Sequence, residues 1–283
     1  MRQRKNRKTH TKTPLLGKLL LRLPTSCVLL YPLWLAHRLF LKEDTVESPL
    51  IPKAFDGFKI AFLSDIHYGE YFKADRVRQL AEKVDALNAD IVIFGGDYGQ
   101  KPDKSIEFFD ILPPVRARYG VYGVIGNHDK TESAGNVQTL SAAMRKAGVT
   151  PLINDAVTIE RDGQTLAFAG IDDDYHGSPD LEKTRAATVG ADYTVLISHT
   201  PDVWPDMEDP FFSLLLCGHT HGGQIALFGR ALRSSSDYGN RYLSGWFHEN
   251  NVDILVSNGI GTSFLPVRLG AKPQYHLITL KSK

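Results

Sequence analysis

Short apolar runs, separated by polar and glycine-containing segments, recur along this chain. Five of them are almost continuously apolar, and they span residues 58–64, 91–94, 121–125, 193–198 and 214–217. Runs of this length and composition are typical of strands buried on both faces, as in a sheet covered by helices. Apolar residues from Val77 to Val84 recur every three to four positions, which predicts an amphipathic helix over 74–88. A second helix is predicted over 134–147. The pattern therefore predicts an α/β fold.

Each of the five runs ends at polar residues that can bind a metal ion or a phosphate. In such a sheet the ligand site lies just beyond the carboxyl ends of the strands, where the loops converge. We therefore expect these residues to meet at one edge of the sheet. The candidate site residues are Asp65, His67, Asp97, Asn127, His128, His199, His219 and His221.

The spacing and the donor atoms indicate metal binding. Asp65 and His67 are two residues apart, as are His219 and His221. On an extended segment, residues at this spacing point to the same side, so each pair can reach one small volume. Carboxylate, carboxamide and imidazole donors without thiolate suit two divalent ions, for which Mn, Fe, Zn and Co are all candidates. Paired ions of this kind are used to hydrolyse phosphate esters.

The motifs resemble the calcineurin-like metallophosphoesterases. The resemblance runs from about residue 58 to residue 280 and is carried by Asp65-Ile66-His67, Gly96-Asp97, Gly126-Asn127-His128-Asp129, His199 and Gly218-His219-Thr220-His221. It implies a four-layer α/β/β/α sandwich with a two-metal site at the sheet edges. It further implies that one metal is held by Asp65, His67, Asp97 and His221, and the other by Asp97, Asn127, His199 and His219. Asp97 would bridge the two metals, and His128 would face the substrate phosphate without binding metal.

This site predicts the reaction. A hydroxide shared by the two metals would attack phosphorus, because bound cations make hydroxide available at neutral pH. His128 would donate a proton to the leaving oxygen or stabilise the equatorial oxygens. A metal-dependent phosphoric ester hydrolase of the phosphodiesterase or pyrophosphatase type is therefore expected.

The N-terminal region has a different composition. Basic residues crowd positions 2–22 with no acid among them, and residues 23–36 are uncharged. The motifs around Ser198-His199-Thr200-Pro201-Asp202 and Ser257-Asn258-Gly259-Ile260-Gly261 resemble those of a bacterial branch of the family that has a hydrophobic N-terminal segment.

These features predict three regions. We expect a membrane-anchoring segment over 1–42, a linker over 43–56, marked by Pro49 and Pro52, and a catalytic domain over 57–283. A helix of residues 23–36 would span about 21 Å, short of the roughly 30 Å hydrocarbon core, so both a short span and an interfacial helix remain open. The expected location is the bacterial cytoplasmic membrane, on either side.

The substrate is predicted from these two regions together. An anchoring segment beside an intact site favours a phosphate ester of a lipid or of a nucleotide-sugar-lipid. The alternatives are a phosphodiesterase on soluble nucleotides or nucleic acid and a metal-dependent scaffold without catalysis. The net charge of +1 favours none of these alternatives. The absence of a basic-aromatic stripe in the catalytic region argues against nucleic acid.

Two further groups of charged residues have no assigned place in the site. Arg230, Arg233 and Arg241 could bind a phosphate or lipid headgroups, or keep the surface soluble. Asp172-Asp173-Asp174 is expected to form a solvated loop.

Overall fold

Two six-stranded sheets face each other at the centre of the structure, a computed structural model that describes residues 25–130 and 135–283. The first sheet contains, in spatial order, β1 (Phe40–Ser48), β14 (Gln274–Ser282), β2 (Lys59–Leu63), β3 (Ile91–Phe94), β4 (Val121–Gly123) and β5 (Thr150–Pro151). The second contains β12 (Gly245–Glu249), β13 (Val252–Val256), β9 (Leu214–Cys217), β8 (Tyr193–Ile197), β7 (Gln164–Gly170) and β6 (Asp155–Arg161). A separate two-stranded hairpin joins β10 (Ala226–Leu227) to β11 (Arg230–Ala231).

Helices cover the outer faces of the two sheets. The described helices are α1 (Thr25–Ala36), α2 (Ala74–Asp85), α3 (Pro102–Ile111), α4 (Gly135–Lys146) and α5 (Leu181–Ala186). Side chains of α2, α3 and α4 share a core with the first sheet. The second sheet is covered by α5, a 3₁₀ turn at Pro201–Val203 and the loops that carry Trp204, Phe212 and Tyr242. The predicted four-layer α/β/β/α sandwich is confirmed.

The strands are apolar on both faces because each sheet has a core on either side. In β2, Ile60 and Phe62 pack between the sheets, whereas Ala61 and Leu63 pack against the helices. The five predicted strands all form, and helix α2 is three residues shorter at its C-terminal end than the pattern predicted, ending at Asp85.

Strand direction places the predicted site at one edge. β2, β3 and β4 are mutually parallel in the first sheet, and β7, β8, β9 and β13 are parallel in the second. Their carboxyl ends are followed by all the candidate residues. The convergence that the apolar runs predicted is therefore a consequence of parallel pairing.

The N-terminal boundary differs from the prediction. Residues 40–48 form β1, which pairs in parallel with β14 from Phe40 opposite Gln274 to Ser48 opposite Ser282. Val46, Ile51 and Phe55 are buried in the core between the sheets. The prediction of a linker over 43–56 is therefore wrong: Pro49 and Pro52 lie in the turn that follows an edge strand, where a missing N–H costs no ladder hydrogen bond.

Helix α1 lies against the folded domain at its C-terminal end. Leu35 and Ala36 are buried, and Arg76 donates a hydrogen bond from its guanidinium to the carbonyl of Ala36 at 3.3 Å. Among the described residues, none of the helices combines the length and the apolar character needed to cross a bilayer. The basic cluster predicted to precede the apolar segment lies in 1–24, outside the described residues.

Candidate metal centre

Asp65, His67 and His221 form the first cluster of the site. Nε2 of His67 lies 2.9 Å from Nε2 of His221, and that atom is 3.6 Å from Oδ1 of Asp65. All three side chains are buried. Two facing imidazole nitrogens beside a carboxylate are a donor set that suits a divalent cation.

Asn127, His199 and His219 form the second cluster. Oδ1 of Asn127 is 3.1 Å from Nε2 of His199 and 3.0 Å from Nδ1 of His219. The carbonyls of Gly95 and Ser235 lie 2.8 Å and 3.2 Å from the other nitrogens of these two rings. Hydrogen bonds to backbone carbonyls fix ring orientation and leave the opposite nitrogen free to bind a metal.

Asp97 lies between the two clusters. Its Oδ2 is 3.5 Å from Nε2 of His67 and 3.3 Å from Nε2 of His199, so one oxygen faces both. Its Oδ1 accepts a hydrogen bond from the backbone N–H of His128 at 2.9 Å. The structure therefore brings all eight predicted residues into one site with Asp97 at its centre.

The backbone at this site has an unusual conformation. Asp65, His67, Asp97, His219 and His221 all have positive φ, between 50° and 69°. Residues other than glycine rarely adopt this left-handed conformation, and each instance costs on the order of 1–3 kcal/mol. Asp65 and His67 thus converge because the chain coils after β2, and the extended geometry assumed from their spacing is wrong.

Glycines allow the loops to approach the site residues closely. A Cβ atom added at Gly126 would lie 2.6 Å from the amide nitrogen of Asp97 and would collide with its carboxylate. At Gly218, an added Cβ would collide with the side chains of Ser64 and Asp65. Both positions require glycine because side chains occupy the space.

Asp129 supports the site, although the sequence analysis assigned it no role. Its buried carboxylate accepts hydrogen bonds from the backbone N–H groups of Asp97, Tyr98 and Gly126 at 2.7–2.9 Å, and from the hydroxyl of Ser105 at 2.6 Å. It thereby ties the loop after β3 to the loop after β4. Its position directly after His128, in the Gly-Asn-His-Asp motif, is the sequence feature that could have indicated this role.

Arg268 is a second supporting residue that the sequence did not indicate. Its guanidinium is fully buried, and Nη2 lies 3.0 Å from Nδ1 of His221. The same group donates to the carbonyls of Gly261 and His221. No motif surrounds Arg268 in the sequence, so only the fold reveals that it positions a candidate ligand.

The electrostatics of the site favour cations. Burial lowers the pKa of His67 to about 3 and that of His219 to about 4, so both rings are neutral. Burial also acts to lower the pKa of His199, but the Asp97 carboxylate outweighs it and raises this pKa to about 10. This place therefore favours a positive charge, either a proton on His199 or a metal ion, that offsets the negative charge of the buried carboxylates. Together with the oxygen and nitrogen donors, this shows that the residues present fit two divalent cations.

His128 occupies the solvent side of the two clusters. Its half-buried ring packs edge-on against His67, with centroids 4.9 Å apart, and its Nδ1 lies 3.3 Å from the carbonyl of Gln100. It also forms a triad with His67 and Asp97 whose donor atoms could hold a metal.

A cavity of about 550 Å³ opens over the site. Its floor contains Asp97, Asn127, His128, His219 and His221, and its walls include Leu232, Arg233, Phe264 and Leu265. The arrangement can hold a phosphate above the clusters with apolar substituents beside it.

The prediction of a solvated loop over Asp172-Asp173-Asp174 is wrong for two of its members. Asp172 and Asp173 are buried, and Asp174 is exposed. Asp172 pairs with the buried ammonium of Lys130, which follows Asp129 in the chain. The Asp172 carboxylate therefore holds the loop after β7 to the loop after β4.

Comparisons with known proteins agree with this geometry. Residues 58–223 match the sequence profile described as calcineurin-like phosphoesterase. The chain is 32% identical over 250 residues to the uncharacterized metallophosphoesterase YkuE of Bacillus subtilis, covering 87% of each chain. It is 28% identical over 228 residues to the phosphodiesterase YaeI of Escherichia coli, covering 79% of this chain and 82% of that one.

Among solved structures, the phosphopantetheinyl hydrolase PptH of Mycobacterium tuberculosis aligns with a TM-score of 0.46 at 14% identity, covering 76% of this chain and 96% of that chain. Members of the matched family use two divalent metal ions, for which the clusters of this site provide the donors. The chain therefore belongs to the calcineurin-like phosphoesterase family and is a metal-dependent phosphoric ester hydrolase.

Proposed function

We propose that this enzyme hydrolyses a phosphodiester or pyrophosphate bond in a lipid or a nucleotide-sugar-lipid, using two divalent metal ions. The observation that carries the proposal is the position of Asp97, whose Oδ2 faces both imidazole clusters. In this proposal one metal is held by Asp65, His67, Asp97 and His221, and the other by Asp97, Asn127, His199 and His219.

Two divalent cations, when bound, lower the pKa of bound water and offset the charge that builds up on a phosphate in the transition state. The protein contributes the fixed donors. Asp97 is held by the His128 N–H, His199 by the Gly95 carbonyl and His221 by Arg268. Side chains held in this way need little reorganisation during the reaction.

His128 is the proposed proton donor. Its ring lies at the cavity floor beside Asn127, and the Gln100 carbonyl accepts from Nδ1, leaving Nε2 for the substrate. Donating a proton to the leaving oxygen avoids the release of an alkoxide. Asn or Gln at this position could not supply that proton.

Two observations support a lipid substrate. Leu232, Phe264 and Leu265 give the cavity an apolar wall directly beside the clusters. Basic residues at 2–22 and the uncharged run at 23–36 support attachment to the bacterial cytoplasmic membrane. A span would place the N-terminus in the cytoplasm by the positive-inside rule, and an interfacial helix would keep the catalytic domain there.

The test begins with purified full-length protein, stripped of metal by a chelator and assayed with bis(p-nitrophenyl) phosphate. Mn²⁺, Fe²⁺, Zn²⁺ and Co²⁺ are added back separately, and we expect at least one to restore hydrolysis. Bound metal without hydrolysis would identify a non-catalytic scaffold instead.

The substrate class is tested by comparing a lipid phosphodiester in mixed micelles with soluble dinucleotides and cyclic nucleotides. The proposal predicts a higher kcat/KM for the micellar substrate. A higher value for the soluble nucleotides would favour the alternative, a nucleotide phosphodiesterase.

A further inference from the structure

Five exposed apolar side chains lie on the two segments beside the cavity, and three of them line it. We call them the apolar rim, and they are Leu227, Phe228, Leu232, Phe264 and Leu265. Phe228 is fully exposed, and Leu232 and Phe264 are 82% and 78% exposed. Single exposed apolar residues are ordinary on protein surfaces, but a group of large ones around a cavity marks an interaction site.

The two segments that carry the apolar rim are bonded together. The amide of Ala226, at the start of the β10–β11 hairpin, donates to the carbonyl of Leu269 at 2.7 Å. Gln224 joins them a second time, because its Nε2 donates to the carbonyl of Leu265 and its Oε1 accepts from the amide of Ser263. The exposed side chains therefore project from one hydrogen-bonded unit that begins directly after His221.

Helix α1 adds a second apolar surface next to this unit. Leu30, Tyr31, Leu33 and Trp34 are 37–58% exposed on α1. The backbone N–H of Arg268 donates to the carbonyl of Pro32 at 3.0 Å, so the segment with Phe264 and Leu265 contacts this helix. The two apolar surfaces lie on neighbouring parts of the domain.

The charges around these surfaces complement an anionic lipid surface. Arg233 lines the cavity next to Leu232, and Arg230 lies on β11, two residues before Leu232. In the sequence, α1 is preceded by Arg2, Arg4, Lys5, Arg7, Lys8, Lys12, Lys18 and Arg22. Basic residues next to exposed aromatic and aliphatic side chains are the pattern with which proteins bind anionic bilayers.

We propose that the apolar rim and the outer face of α1 insert together into the headgroup layer of an anionic bilayer, so that the mouth of the cavity opens onto the lipid. A lipid phosphoester could then reach the metal centre with its acyl chains still among other lipids. This inference rests on the proposed lipid substrate, and it adds that the catalytic domain itself contacts the membrane, apart from the N-terminal basic segment.

Vesicle cosedimentation of the full-length protein tests the proposal. The variant replaces Leu227→Ser and Phe228→Ser, because these two side chains do not line the cavity. The matched control replaces Leu50→Ser and Val189→Ser, which are exposed at the opposite edge of the sheets, after β1 and before β8. Vesicles of phosphatidylcholine with phosphatidylglycerol are compared with vesicles of phosphatidylcholine alone.

We expect the Leu227/Phe228 variant to bind the anionic vesicles about tenfold more weakly than the parent and the control, since two large apolar groups leave the interface. Phe228→Trp, which keeps an aromatic group at the tip, should bind as well as the parent. Hydrolysis of bis(p-nitrophenyl) phosphate should be unchanged in all of them, and thermal unfolding checks that each variant is folded.

Three results would overturn the inference. The parent could fail to bind anionic vesicles, or the variant could bind as tightly as the parent, which would assign binding to residues 1–22 alone. Sedimentation could also show a dimer of the parent that the variant cannot form, which would make a second copy the occupant of this surface. Binding is measured with chelator present, so it does not depend on bound metal or on catalysis. A protein that binds vesicles but hydrolyses no diester would therefore contradict the proposed function and leave this inference intact.

Discussion

The metal centre and the apolar rim meet on the loop after β9, yet they have opposite properties. His221 is 5% exposed, and Phe228, seven residues later, is fully exposed. Six of the seven candidate ligands are buried and five have a left-handed backbone, whereas the rim projects exposed apolar groups. We therefore expect the fold to fix the chemistry and the exposed loops to determine which substrate binds.

The largest effect is expected at the centre, for Asp97→Asn. This change keeps the shape of the side chain but removes the charge shared by the two clusters. Metal affinity should fall by more than the roughly 10- to 100-fold that follows loss of an outer partner, and activity should fall to background. Metal analysis and diester hydrolysis measure both. Asp202→Asn, which removes a buried carboxylate outside the clusters, is the control. Full metal content in Asp97→Asn would refute the bridging role.

His128→Ala separates chemistry from metal binding. We expect kcat to fall by roughly 10²–10⁴ with metal content close to normal, since a positioned acid contributes about this much. His248→Ala, an exposed histidine on β12, should change neither quantity. If His128→Ala loses metal, His128 is a ligand through its triad with His67 and Asp97.

Arg268→Met tests how strongly metal binding depends on the residues that position the candidate ligands. Without the guanidinium, His221 loses a partner and buried carbonyls lose their donors, so metal affinity should fall roughly 10- to 100-fold. Arg76→Met is the matched control, because this largely buried arginine contacts the end of α1 and no candidate ligand. Equal loss of metal in both variants would show that burial of an arginine, rather than its contact with His221, is what matters.

Arg233→Gln probes the boundary between centre and rim. Its guanidinium is exposed at the cavity wall, where a surface interaction with a phosphate is weak. KM for an anionic diester should rise by about tenfold or less, with kcat and metal content unchanged, which is the pattern for lost ground-state binding. Arg230→Gln, outside the cavity lining, should leave KM unchanged. A fall in kcat instead would show that Arg233 acts in the chemical step and not only in substrate binding.

The smallest effect is expected outside both regions, on β1. A hydrogen bond from His276 lowers the pKa of Asp44 below its usual value, with burial opposing this. Because the folded pKa is depressed, the stabilisation is present above pH 4 and is lost as the pH falls through the folded pKa. Asp44→Asn should lower the unfolding free energy by about 1 kcal/mol at pH 7 and by less at pH 3. Equal melting differences at both pH values would contradict this.

The strands and the candidate ligands could be predicted from the sequence because both follow from local pattern. Apolar runs such as Ile91–Phe94 are buried on both faces, and parallel pairing then brings Asp97 and its counterparts to one edge. The left-handed conformation of Asp65 and His67 could not be predicted, since it depends on backbone hydrogen bonds to Gly96 and Asp97 in another loop. Arg268 was missed for a related reason: its contact with His221 joins positions 47 residues apart.

The N-terminal region shows the same limit. Phe40–Ser48 has few apolar residues, because β1 is an edge strand with one buried position at Val46. Its partner β14 is far away in the sequence, so local composition resembled a linker. Residues 40–48 thus belong to the folded domain, and any truncation intended to release that domain should keep β1.

The position of β14 also constrains how the protein is made. This last strand lies between β1 and β2, and its His276 contacts Asp44 across a separation of 232 residues. Until β14 has been made, β1 and β2 both lack the strand that lies between them. Pairings of such long range form slowly. The edge of the first sheet stays open until residues 274–282 have been made, and a chain that lacks them would leave β1 and β2 without the strand that joins them.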